Sequence, residues 1–238
     1  MSRSKRKKVE RTKKYDIPKP NHASTSQNFH FEFMNEAQRL AWGAFDQNDV
    51  LFLIGPAGCG KTQLACAFAI SEILSKKRKK IVLTRPIVEA GESLGYLPGS
   101  FEEKVNPYMM PMYDCMETCV GKDGPQREII NKSMEIAPIA YCRGRTFKDS
   151  ICIFDEAQNA TKTQIKLFMT RFGHNSKMII TGDPDQSDIN GGNTSLIQIA
   201  EKMEGLKGIG VIKFKACSIV RHPLIAGILD KFQELNVK

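Results

Sequence analysis

The octapeptide Gly55-Pro56-Ala57-Gly58-Cys59-Gly60-Lys61-Thr62 stands directly after the apolar run 51–54 and directly before the apolar segment 63–75. The pattern GxxxxGK[ST] in that setting restricts the chain to a buried strand that turns through a glycine-rich loop into a helix. Glycine at the loop positions lets backbone N–H groups turn inward toward an anion. The helix N-terminus adds its dipole, Lys61 places a cation on β- and γ-phosphates, and the Thr62 hydroxyl is a ligand for Mg²⁺.

Four further apolar runs are too short for helices: residues 81–84, 151–154, 178–181 and 211–214. Their hydrophobicity is continuous rather than alternating, which indicates strands buried on both faces, and the helical segments 63–75 and 163–171 serve as crossovers. The fold class expected is therefore α/β, a parallel sheet flanked by helices. A short helix is expected ahead of the loop, with Asn35 as N-cap, Glu36 and Gln38 in its first turn and Leu40, Ala41 and Trp42 on its apolar side. The Gly-, Pro- and Met-bearing stretch 91–145 reads as an insertion with helices at 107–119 and 126–136. No internal repeat and no second hydrophobic core is expected.

Two more strand ends carry polar groups. Asp155-Glu156 follows the run 151–154, at the carboxyl edge of the sheet where ligands bind in open α/β folds. Asp155 is the candidate to hold Mg²⁺ through water, and Glu156 to polarise an attacking water, since phosphoryl transfer to water needs a positioned carboxylate besides the metal ligand. Taken alone, two acids after a strand more often cap a helix. Thr181-Gly182-Asp183-Pro184-Asp185-Gln186 must form a turn, and Thr181 and Gln186 are candidates to sense the γ-phosphate. Arg143, Arg145 and Arg221 are the arginines weighed for contact with transition-state charge, with Arg221 the catalytic candidate.

Charge is uneven along the chain. Residues 1–14 hold eight Lys or Arg and one acid, a net +7 of the formal +9. Residues 1–28 lack apolar periodicity and are expected to be a disordered basic tail, with one ATPase domain over 29–238. The tail is either a polyanion-binding segment or a solvated extension. Seven cysteines without a CxxC pair and four scattered histidines disfavour a structural metal and suggest reduced thiols. Neither a bilayer-length apolar stretch nor a secretory leader is recognisable, so a cytoplasmic protein without membrane contact is expected.

Assembled in order, these blocks resemble the PhoH family of P-loop ATPases, which are similar in their core to superfamily-one helicases. The resemblance runs from about Asn35 to Leu229. It includes Gly55–Thr62, Thr84-Arg85-Pro86-Ile87-Val88-Glu89-Ala90-Gly91-Glu92, Leu94-Gly95-Tyr96-Leu97-Pro98-Gly99, Lys104 with Pro107-Tyr108, Asp155-Glu156-Ala157-Gln158-Asn159, Thr181–Gln186 and Val220–Pro223. It implies a RecA-like domain, ATP hydrolysis with Mg²⁺, single-stranded RNA as partner, and a homo-oligomeric ring, a hexamer, with nucleotide at each subunit boundary. It also implies that Gln38 recognises adenine, that Arg85, Glu89 and Lys104 lie on the nucleic-acid or coupling face, and that Arg221 contacts the phosphates. Cys59 departs from the Thr or Ser that the family more often has there. A thiol beside phosphates at a helix N-terminus is expected to be reactive, so that its oxidation blocks nucleotide binding.

The reading that follows is an RNA-associated ATP-driven motor or remodeller. A regulatory switch, in which ATP controls oligomerisation or a protein partner, is the alternative. A small-molecule kinase fits less well because Glu156 suits a hydrolase. A purely structural RNA-binding protein would leave the phosphate loop without a role.

Overall fold

The computed structural model describes residues 29, 31–86, 101–121, 125–184, 186 and 195–215. Six parallel strands form one sheet: β1 (Val50–Ile54), β2 (Lys80–Thr84), β3 (Met134–Ile136), β4 (Ser150–Phe154), β5 (Lys177–Gly182) and β6 (Ile209–Lys213). Their order across the sheet is β3-β2-β4-β5-β1-β6. The helices are α1 (Glu36–Gln47), α2 (Lys61–Leu74), α3 (Phe101–Val120), α4 (Pro125–Ser133), α5 (Lys162–Met169) and α6 (Ser195–Met203). The basic segment 1–28, Glu89 and Arg221 lie outside the described residues.

The apolar runs become strands because each feeds two cores. Successive strand side chains point to opposite faces. Leu51 and Leu53, Ile81 and Leu83, Ile151 and Ile153, and Ile179 enter one cluster under α1, α2 and α3. Phe52, Ile54, Val82, Cys152, Phe154, Met178 and Ile180 enter another under α5 and α6. The expectation of a single core is corrected accordingly: a sheet covered on both faces divides its interior into two layers.

Helix α2 is the centre of the first layer, with Leu64 through Ile70 fully buried. Its alanines (Ala65, Ala67, Ala69) leave room for α1, α3 and the strands β4 and β5 to approach it closely. Phe68 stacks on Phe45 with centroids 4.4 Å apart and meets the edge of Trp42 at 5.0 Å, which docks α1 onto α2. The expected cap of α1 forms, with Asn35 Oδ1 accepting from the Gln38 N–H at 3.0 Å.

Several boundaries differ from the sequence reading: α3 starts at Phe101 rather than 107 and α5 ends at Met169 rather than 171. The helix expected over 126–136 stops at Ser133, and Met134-Glu135-Ile136 instead pair with Ile81, Val82 and Leu83 as the edge strand β3. Three residues are too few to display a strand period, and their pairing with β2 exists only in the assembled sheet. The last strand begins at Ile209 rather than 211, because its register against β1 starts at Val50↔Ile209. Helix α3 runs through Pro107 and Pro111, both exposed, so the backbone bonds they forfeit lie on its outer side.

Phe68→Ala is expected to cost about 3–5 kcal/mol, the loss typical of truncating a buried phenylalanine. Denaturant unfolding followed by the fluorescence of Trp42, the only tryptophan in the chain, measures both the loss and the loosening of α1.

Candidate functional site

Strand order places the chemistry. β5 lies between β1, which feeds the glycine-rich loop, and β4, which ends at Asp155, so the carboxyl ends of three adjacent strands face one another. The register Leu53↔Thr181 and Ile54↔Gly182 brings Thr181 level with the start of the loop. The Gly55 N–H donates to the Gly182 carbonyl at 3.1 Å and ties the loop to β5.

Gly60 has φ +76° and forms the N-cap of α2, and a Cβ there would lie 2.8 Å from Gln38 Nε2. Both the left-handed backbone and the close approach require glycine. No side chain caps the helix, so its first N–H groups face the loop. Lys61, 9% exposed, curls under the loop and donates to the carbonyls of Gly55 at 2.7 Å and Pro56 at 2.8 Å. Burial pulls its ammonium below the ordinary lysine value, against the opposing influence of Asp183, Cys59, Glu156 and Asp155.

Asp155 is buried at the end of β4, and its Oδ1 accepts hydroxyl protons from two directions. Thr62 Oγ1 donates at 2.8 Å from the loop, and Thr181 Oγ1 donates from β5. A carboxylate and a hydroxyl at this separation are oxygen donors of the kind that Mg²⁺ takes, together with phosphate oxygens and water. Among the described residues no group of three or more His, Cys, Asp or Glu could hold a metal unaided.

Glu156 adopts φ +53° and opens the 3-10 turn Ala157–Asn159. Its Oε2 accepts from Gln158 Nε2 at 2.5 Å, and its Oε1 lies 3.6 Å from Arg85 Nη2. Gln158 is buried, and its Oε1 accepts from the Asp183 N–H at 3.0 Å. Sequence reasoning assigned no role to Gln158 or Asp183; the visible signal was their place in polar blocks after strand ends. Gln186 is exposed and joins the cluster through its backbone N–H, which donates to the Asp183 carbonyl at 3.3 Å. The polar group of that segment that reaches Asp155 is Thr181.

Gln38 is buried beside the loop, donating to the Cys59 carbonyl at 3.1 Å and accepting from the Met34 N–H at 2.9 Å. It lines a cavity of about 280 Å³ with Phe31, Met34, Gly60, Thr118 and Cys119. A larger hollow of about 700 Å³ lies at the β3 edge, lined by Tyr113, Glu135, Tyr141 and Arg145, and has no loop residue in its wall. Arg145 pairs there with Glu135 at 2.5 Å and lies over the Phe147 ring, four strands away from β1. Lys104 falls in the first turn of α3, and its side chain is outside the described residues. The burial of Cys59 bears against the reactivity expected of its thiol. Its side chain is fully buried in the first core cluster, because the loop turns its backbone rather than its side chains toward the centre.

The profile of the PhoH-like protein family matches residues 30–233. The PhoH-like protein of Bacillus subtilis (strain 168) is 48% identical over 200 residues, covering 84% of this chain and 63% of that protein. The PhoH-like protein of Mycobacterium tuberculosis (strain ATCC 25618 / H37Rv) is 44% identical over 195 residues, covering 79% and 54%. Protein PhoH of Escherichia coli (strain K12) is 41% identical over 202 residues, covering 83% and 57%. The chain thus spans roughly half to under two thirds of these relatives' length. Among solved structures, the Sulfolobus solfataricus SWI2/SNF2 ATPase core in complex with dsDNA aligns with a TM-score of 0.44 and 13% identity, over 71% of this chain and 34% of that one. With the family profile covering most of the chain and these identities above 40%, the chain belongs to the PhoH-like family.

Proposed function

We propose that this chain binds Mg·ATP at the glycine-rich loop, hydrolyses it, and uses the cycle to move along or remodel RNA. The observation that carries the reading is the convergence of the Thr62 and Thr181 hydroxyls on one carboxylate oxygen of Asp155, with Lys61 and Glu156 beside it. The loop N–H groups and the α2 N-terminus bind phosphate oxygens, and Lys61 exchanges its carbonyl partners for them. Thr62 and Asp155 would hold Mg²⁺, which when bound would supply charge neutralisation on the phosphates. Glu156 accepts the proton of the attacking water, and Gln158 orients its carboxylate. The cavity beside Gln38 takes the adenine base. Gln186 senses the γ-phosphate from the turn after β5.

The RNA association rests on family membership and on the basic segment 1–14, with Arg85, Glu89 and Lys104 as further contacts. A cytoplasmic ring, a hexamer in which Arg221 contacts the phosphates of its own or a neighbouring subunit's nucleotide, completes the proposal. A lone domain of this kind offers one nucleic-acid grip, whereas translocation needs two that move relative to each other. No helix among the described residues is long and apolar enough to cross a membrane.

Phosphate release from Mg·ATP by wild type and Glu156→Gln, with and without poly(U), alongside solution mass, tests the proposal. Glu156→Gln is expected to lower kcat by about 10²–10⁴, the range of a positioned general base, with little change in ATP affinity. ATP binding without stimulation by poly(U) would favour the regulatory switch. Thr181→Val removes one of the two hydroxyl donors to Asp155. It is expected to raise the Mg²⁺ concentration for half-maximal rate about tenfold, as outer-shell substitutions at metal sites do. A magnesium titration at saturating ATP measures it.

A further inference from the structure

The two oxygens of Glu156 are held from different elements. Oε2 takes a 2.5 Å hydrogen bond from Gln158, two residues along the same turn, while Oε1 faces Arg85 Nη2 at 3.6 Å. The same guanidinium donates through Nη1 to the Tyr108 carbonyl of α3 at 3.1 Å. Arg85 therefore bridges α3, which packs on α2, and the carboxylate proposed to activate water.

The backbone under this bridge is tied together by the sheet. Arg85 follows β2, Glu156 follows β4, and the two strand ends are locked by the Asp155 N–H donating to the Thr84 carbonyl at 2.9 Å. What can change is the side-chain pairing, and the three contacts are unequal. At 3.6 Å the ion pair exceeds hydrogen-bond length, and its partners are 22% and 34% exposed, so it is the contact most easily exchanged. A phosphodiester offers a guanidinium two coplanar oxygens, a bidentate fit stronger than this single long contact. A strand that reaches Arg85 thus draws it away from Oε1 and leaves the orientation of Glu156 to Gln158.

We propose that Arg85 is a positioning residue that couples an RNA phosphate to the catalytic carboxylate by exchanging its Glu156 partner for the phosphodiester. The inference rests on the RNA-associated ATPase reading and adds to it the physical link between the two sites.

The test uses the full chain as wild type, Arg85→Gln and Arg85→Lys. Phosphate release is measured with and without poly(U), at concentrations shown to saturate binding by fluorescence anisotropy. Arg85→Gln is expected to bring the ratio of stimulated to basal kcat close to one, with the KM for ATP unchanged. The salt slope of RNA binding is expected to fall by about one, the loss of a single phosphate contact. Arg85→Lys, which keeps the charge, is expected to restore part of the stimulation. Full stimulation of Arg85→Gln at saturating poly(U) would make Arg85 a binding contact only and overturn the coupling. Equal loss in both variants with a lowered unfolding midpoint would assign it to anchoring α3, and would overturn the coupling too. Hydrolysis by the wild type without any response to poly(U) would overturn the RNA reading itself, and the inference with it.

Discussion

Asp155 Oδ1 accepts two hydroxyl protons at once, one from the loop and one from the neighbouring strand, and the arrangement of the site depends on this shared oxygen. A buried carboxylate is costly unless its charge is met by donors. Thr62 and Thr181 meet it, and in doing so they set the separation of three strand ends. The start of α2, the end of β4 and the end of β5 are thereby held in a single polar cluster. Lys61, also buried, obtains its partners from the loop's own carbonyls and from the acids around it.

That cluster can be held because the sheet beneath it is packed on both faces. The side chains of β1, β2, β4 and β5 alternate between two apolar layers, so no central strand can slip without moving its residues to the other layer. Helix α2, apolar and fully buried from Leu64 to Ile70, fixes the loop from below, and the Phe45, Phe68 and Trp42 rings fix α1 against it. The position of Gln38 beside Gly60 follows from that docking. Gly182 shows how tightly the edge is filled: a Cβ there would lie 2.9 Å from Gln158 Oε1, the same oxygen that receives the Asp183 N–H.

Much of this was legible along the chain. The central strands announce themselves because burial on both faces demands unbroken apolar runs, and the loop because phosphate binding demands glycine at fixed spacing. Asn35 reads as a helix cap from its own chemistry and its neighbours, and the cap forms. Strand β3 was not legible, since three residues carry no period and Glu135 breaks the apolar run. Nor was the orientation of Cys59, which depends on which side of the loop meets the core. The roles of Gln158 and Asp183 emerge only when the ends of β4 and β5 are set side by side.

Local sequence by itself determined the strands of the sheet centre, the glycine-rich turn into α2, and the identities of Lys61 and Thr62 at the helix start and of Asp155 and Glu156 after a strand as the polar groups there. These are matters of side-chain type and short spacing, which act over a few residues. The tertiary structure alone decided that Thr181 shares Asp155 with Thr62, that Arg85 faces Glu156, and that Gln158 links Glu156 to Asp183. Apart from the Glu156–Gln158 bond, which lies within one turn, those contacts join residues separated along the chain by other elements, and the order in which parallel strands pair is set by how both faces of the sheet become covered.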